Sequence, residues 1–210
     1  MKTILTIIAL ATSLISFAGF EGIISTTVYN QGNSMEVKWF IKNDMLKLQM
    51  NYNADNGPVT VEFIVKKGGG EMTIVTNSES YKGYSILNES AITGSMAIGD
   101  LVFKKDGIKK DDLTKYQAAN AKYQCAIWLS NLDVQLAEFS NFFKDDPAFL
   151  LIHKENLSGF PQKSMLTNHN GDLIYAATVA GVEQKSLSDL DFSIPDGYQK
   201  RELVEMEIEK

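Results

Sequence analysis

The sequence predicts a mainly β (α+β) protein built on an antiparallel sheet with one dry and one wet face. Three observations carry this. Period-2 alternation of apolar and polar residues runs through several consecutive segments of the first half. Short clusters of Asn, Asp and Gly separate those segments. Apolar residues recur at helical spacing in only one stretch of the second half.

Gly22–Tyr29 is the first expected strand. In Met35–Lys42, Met35, Val37, Trp39 and Ile41 alternate with Glu36, Lys38 and Lys42, with Phe40 the exception. Asn43-Asp44 follows as a two-residue turn, because both residues tolerate left-handed backbone angles. Met45–Tyr52 sets Leu46, Leu48, Met50 and Tyr52 against Lys47, Gln49 and Asn51. Asp55-Asn56-Gly57-Pro58 breaks the run. Val59–Lys66 resumes it with Val59, Val61, Phe63 and Val65, and Met72–Thr76 follows the turn Gly68-Gly69-Gly70.

The middle is less regular. Asn88–Gly99 reads as loop and Leu101–Lys105 as a short strand. Asp111–Asn120, with an acidic start and Ala-rich centre, reads as a short helix. Lys122–Leu129 reads as a buried strand. Leu132, Leu136, Phe139 and Phe143 define an amphipathic helix that Pro147 should stop. Phe149–His153 is then a short apolar run in a region returning to strands. Pro161–Thr167 and Asp172–Ala180 flank the turn Asn168-His169-Asn170-Gly171. Gln184–Phe192 is a further candidate strand, and Val204, Met206 and Ile208 alternate with glutamates at the end.

The N-terminus has its own logic. Lys2 precedes the apolar stretch Ile4–Phe17, and Ser16 and Ala18 place small residues where a signal peptidase reads. Residues 1–18 are therefore expected to be a cleavable signal peptide, cut between Ala18 and Gly19. The apolar run falls short of the ~20 residues that span a bilayer, so no transmembrane anchor is expected. A lipid anchor would need a Cys after the cut, and the one cysteine is Cys125. A periplasmic or secreted location follows, with residues 19–210 forming one domain. An exported chain with one cysteine must rely on its core rather than on an internal disulfide.

The formal net charge is −6 and basic residues are scattered, which argues against nucleic-acid binding. No nucleophile motif, phosphate loop or metal-ligand spacing is present, so no enzymatic activity, metal or cofactor is expected. His153 and His169 stand apart, and Cys125 sits among Tyr123, Ala126, Ile127 and Trp128 as a small buried hydrophobe.

Several segments resemble an uncharacterised-domain family of exported bacterial proteins. The cues are the strand–turn–strand Val37–Leu48, the step Ala121-Lys122-Tyr123-Gln124-Cys125, and the ending Gly159-Phe160-Pro161 … Leu190-Asp191-Phe192-Ser193-Ile194-Pro195-Asp196-Gly197-Tyr198. The middle cue lacks the family's Gly. That family is similar in fold to periplasmic lipoprotein carriers and sorting proteins of the LolA and LppX type. The resemblance implies a curved, half-open β-barrel with two or three helices on its concave side.

The apolar sheet face is the feature with binding potential. Met35, Val37, Trp39, Ile41, Leu46, Leu48, Met50, Val61 and Phe63 are the candidate ligand-binding residues, with Val59 on the same face. The expected partner is a lipid, a lipoprotein acyl chain or another apolar molecule, held by a soluble monomer. The alternative is a structural envelope protein with a sealed core that acts through protein contacts.

Overall fold

The computed structural model describes residues 19–30, 32–92, 98–110, 112–143 and 145–202. They form one large, curved, unclosed sheet of twelve strands. The strands are β1 (Gly22–Asn30), β2 (Asn33–Lys42), β3 (Met45–Ala54), β4 (Gly57–Lys66), β5 (Glu71–Asn77) and β6 (Lys82–Asn88), then β7 (Val102–Lys110), β8 (Leu113–Ala119), β9 (Tyr123–Leu129), β10 (Pro161–Asn168), β11 (Leu173–Gln184) and β12 (Gln199–Lys200). Their order is β12-β6-β5-β4-β3-β2-β1-β11-β10-β9-β8-β7. Two antiparallel meanders, β1–β6 and β7–β11, thus join edge to edge through β1 and β11.

The expected turns set the register of the first meander. Asn43, at φ 40°, closes the loop in which Lys42 faces Met45. Asp55-Asn56 closes the next, with Ala54 opposite Gly57. Cross-strand rows then follow without a slip. Ile24, Trp39, Leu48, Phe63 and Ile74 form one inward row, and Ile41, Leu46, Val65 and Met72 form the next. Because side chains alternate along a strand, this register puts every apolar set on the same face.

The inner face is filled by the long connection between β9 and β10. It contains a 3-10 segment, Leu136–Phe142, and the single α-helix among the described residues, α1 (Pro147–Glu155). Leu136, Phe139 and Phe142 are buried from the first piece, and Phe149, Leu151 and Ile152 from the second. The result is one continuous apolar cluster that spans both meanders.

Four local expectations are corrected. Asp111–Asn120 is not a helix: β8 pairs with both β7 and β9. Tyr116 and Ala118 are buried and Gln117 and Ala119 exposed, a period of two that the high helix propensity of Ala obscures. The helix expected from Leu132 is a short 3-10 segment because nothing caps its start. The Ser140 hydroxyl also bonds back to the Ala137 carbonyl, three residues earlier. Pro147 starts a helix rather than ending one. It occupies the first turn, where a missing N–H costs nothing, and Phe149–His153 is therefore helical. Beyond Gln184, residues up to Phe192 form coil and a 3-10 turn, Asp189–Phe192, held by a capping box between Ser188 and Asp191. Strand β6 lies in a stretch for which the sequence suggested no structure. The signal-peptide residues, Ala18 included, and the alternating C-terminal residues 204–208 lie outside the described residues.

Residues 185–202 run across the opposite, outer face of the first meander. Lys42 Nζ meets Asp189 Oδ1 at 2.6 Å, and Leu187 N–H donates to Glu21 Oε1 at 2.6 Å. Gln199 and Lys200 add a short parallel strand against β6. Leu187 and Phe192 are buried, as is Val75, and all three stand apart from the main core.

Candidate functional site

The inner face brings the candidate ligand-binding residues together as neighbours across β2, β3 and β4. They divide into two groups. Val37, Trp39, Ile41, Leu46 and Leu48 are buried. Met35, Met50, Val61 and Phe63 are half-buried, and Met35, Met50 and Phe63 pack against the edge of the core. Tyr52, on the same face two residues beyond Met50, is 47% exposed. Cover over the inner face thus thins from the Ile41–Leu46 end toward the Met35–Met50 end. Gly19 is the first described residue, and Phe20 beside it is already core.

Trp39 marks the covered end. Its ring stacks on Phe149 at 5.5 Å and 18°, meets Phe160 edge-on at 5.6 Å, and lies 6.2 Å from Phe143. Its indole N–H donates to Thr26 Oγ1 at 2.9 Å, and the Thr26 hydroxyl donates to the Val37 carbonyl. The polar edge of a large apolar ring is thereby satisfied inside the core. The sequence offered Phe143 as a helix residue, Phe149 in a short apolar run and Phe160 only within the Gly159-Phe160-Pro161 cue. Their convergence depends on the β9–β10 connection folding back under the sheet.

One polar cluster anchors that connection. Asp146 caps α1, its Oδ1 accepting from the Ala148 and Phe149 N–H groups. Its Oδ2 accepts from the Tyr175 hydroxyl on β11 at 2.7 Å. Burial raises the Asp146 carboxyl above its ordinary value, while the Tyr175 hydroxyl and the two backbone donors pull it down. Tyr175 is held well above its ordinary value, by burial first and then by the Asp146 charge. Cys125 is buried, and its thiol is pushed up to about 12, chiefly by desolvation. A thiol so far from ionising is a poor nucleophile.

The histidines do local work. His153 Nδ1 lies 2.9 Å from Ser140 Oγ and joins the two helical pieces, and His169 Nε2 lies 3.0 Å from the Asn120 carbonyl. Among the described residues, no three His, Cys, Asp or Glu side chains gather as a metal site. No helix among them is long and apolar enough to cross a membrane.

The model of one family, described as Domain of unknown function (DUF4412), matches residues 20–198. The chain belongs to this family. The DUF4412 match runs from Phe20, the first core residue among the described residues, through the segment that crosses the outer face. No curated protein matches the chain in sequence. Among solved structures, the DUF4412 chain is similar to an uncharacterized conserved protein from Thermus thermophilus, with 8% identity and a TM-score of 0.51. That match covers 87% of this chain and 91% of the other, and it is a likeness of fold alone. The ywiB protein from Bacillus subtilis aligns at 13% identity over 78% of this chain and 89% of its own, with a TM-score of 0.24.

Proposed function

We propose that this protein is an exported binding protein that holds a lipid, a lipoprotein acyl chain or another apolar molecule against the inner face of its sheet. One observation carries the reading: the apolar inner face is wider than the connection that covers it. Met35, Met50, Val61 and Phe63 form a half-covered margin beside a sealed core. Unbranched Met side chains suit a cargo of variable shape. Each CH₂ buried there contributes about 0.8 kcal/mol, so an acyl chain needs no polar anchor at this margin. A curved, open sheet with an inserted connection is also in keeping with the resemblance to LolA-type carriers. Export rests on the leader-like residues 1–18, with Lys2 before an apolar run and small residues at Ser16 and Ala18.

The second reading, a structural envelope protein with a sealed core, draws on the tight aromatic packing around Trp39. One experiment separates the two. The protein is purified from its native envelope, extracted with organic solvent, and the extract analysed by mass spectrometry. Fluorescent fatty-acid binding is then compared for Val61→Arg and Glu36→Arg. Val61→Arg should weaken binding at least ~5-fold by placing a charge on the apolar margin. Glu36, on the outer face, should be neutral. Glu62 is unsuitable as a control because its Oε1 holds Lys47 at 3.3 Å and Gln49 at 2.8 Å. An empty protein that ignores the probe establishes the sealed reading.

A further inference from the structure

The outer face of the sheet is not uniform. Residues 185–202 cover it over the first meander, but over β7–β10 it carries an open groove of about 830 Å³. That volume lies within the range of small-molecule sites. Register explains its shape. Lys115, Trp128 and Lys163 stand in one row across β8, β9 and β10. The neighbouring row is Lys104, Gln117, Ala126 and Met165. The small side chains of Ala126 and Ala119 leave a depression between Trp128 and its taller neighbours.

The charge of this groove opposes that of the chain. The protein carries −6 overall, yet Lys104 and Lys105 line this groove with one carboxylate, Asp106, and Lys115 and Lys163 flank it over the ring of Trp128, which also lines it. Asp106 is engaged by Lys115 at 3.0 Å and by Gln117 at 3.1 Å. Lys163 Nζ lies 5.3 Å and Lys115 Nζ 5.6 Å from the centre of the Trp128 ring. Ring attraction orients both ammonium groups without neutralising them. Among the described residues, Lys104 and Lys163 have no carboxylate within ion-pairing distance. Most of the exposed lining is nevertheless apolar, through Ala119, Ala126, Met165 and Val102, the last being 64% exposed. Unpaired cations above an apolar floor complement an anionic head on an apolar body.

We propose that this groove is a second ligand site, distinct from the inner face, that takes a carboxylate-headed amphiphile of the fatty-acid class. The carboxylate sits among Lys104, Lys115 and Lys163, and the hydrocarbon lies over Ala126 and Met165. The proposal does not depend on inner-face binding, because none of the inner-face candidates on β2, β3 and β4 lines the groove.

The two tryptophans make the test local. Trp39 reports the inner face and Trp128 the groove, and each has its own indole N–H resonance. Isotope-labelled protein is titrated with decanoate, then with decanol, its uncharged counterpart. Decanoate should shift the Trp128 signal saturably and decanol should not. The double variant Lys104→Gln/Lys163→Gln should weaken decanoate about 5- to 10-fold, as expected for two exposed ion pairs. Salt should weaken it too, since the screening length falls from about 10 Å at 0.1 M to about 3 Å at 1 M. A Trp128 signal that stays still, that responds equally to decanol, or that keeps its decanoate affinity in the double variant overturns the proposal. A response of Trp39 alone also overturns it while supporting the inner-face reading.

Discussion

Gly159 shows how one residue fixes the way the inner face is filled. It stands at the end of the β9–β10 connection with φ 122°, a conformation that side chains disfavour. A Cβ built there would lie 2.3 Å from the Ser130 carbonyl oxygen, which is backbone and cannot swing away. The close approach has a purpose. Ser130 and Phe160 pair at the neck of the connection: Ser130 N–H donates to the Phe160 carbonyl at 3.0 Å, and the Ser130 hydroxyl donates to the same oxygen at 2.9 Å. Phe160 then reaches Trp39. The Gly-Phe-Pro cue in the sequence therefore has a physical content: tight neck, ring anchor, start of β10. Gly159→Ala combines backbone strain with a backbone clash and should cost at least ~2 kcal/mol. Urea unfolding checks this, with Gly171→Ala as the comparison. Gly171 also has positive φ, at 88°, but a Cβ there meets nothing within 4 Å. If the two variants lose the same stability, the neck carries no special constraint.

The elements differ in how far the sequence reveals them. Strands β2–β5 were legible because their apolar residues recur mainly at every second position, with Phe40 and Ile64 as exceptions, and their turns use Asn, Asp and Gly. The candidate inner-face residues were legible for the same reason, since period two assigns a face without knowledge of the partner strand. Strand β8 was hidden because an alternation built from Tyr116 and Ala118 has little apolar contrast with Gln117 and Ala119. The aromatic cover was hidden for a different reason: Phe143, Phe149 and Phe160 meet Trp39 only in three dimensions. One signal at α1 was available and misassigned. Asp146-Pro147 is a cap followed by a first-turn proline, which reads as a helix start once the cap is weighed with the proline. That cap also makes stability depend on pH. The folded state raises the Asp146 carboxyl above its unfolded value, so it binds the proton more tightly than the unfolded chain does. This contribution is intact below the ordinary carboxylate range and is lost as pH rises through the folded value. Asp146→Asn removes the titration. The stability of Asp146→Asn relative to the parent should therefore rise from about pH 4 upward and then level off. Denaturant unfolding of both proteins across that range tests this. Taking the difference cancels the other carboxylates, and a flat or falling difference contradicts the assignment.

At the scale of the whole molecule, one open sheet has to manage two faces and two edges. The edge at β7 interrupts its ladder with an irregularity between Lys105 and Lys109 and carries lysines, both of which oppose strand addition by another chain. The edge at β6 is capped by β12, and the segment leading to it covers part of the outer face of the first meander. Beneath that segment lies a mixed layer. Lys47 is buried with its Nζ 4.4 Å from the centre of the Phe40 ring and 3.3 Å from Glu62 Oε1, and Val75 is buried beside Glu62's strand. Leu187 and Phe192 supply the apolar cover. The Lys42–Asp189 contact is exposed, and exposed pairs contribute little. Packing, rather than this ion pair, should therefore hold the segment down. Phe192→Ala removes a buried ring and should cost about 3 kcal/mol, toward the lower end for such truncations because the layer is thin. Asp189→Ala should leave stability nearly unchanged, and any small effect should vanish at high salt. Hydrogen exchange gives the finer readout. In Phe192→Ala, protection should fall first at β6 and at the Arg201 N–H bonded to the Tyr84 carbonyl, while β9 and β10 keep theirs. Uniform loss of protection across both meanders would mean that the sheet opens as one unit. Selective loss at β5–β6 would mean that the C-terminal segment is a separable layer, leaving the inner core and the Trp128 groove intact.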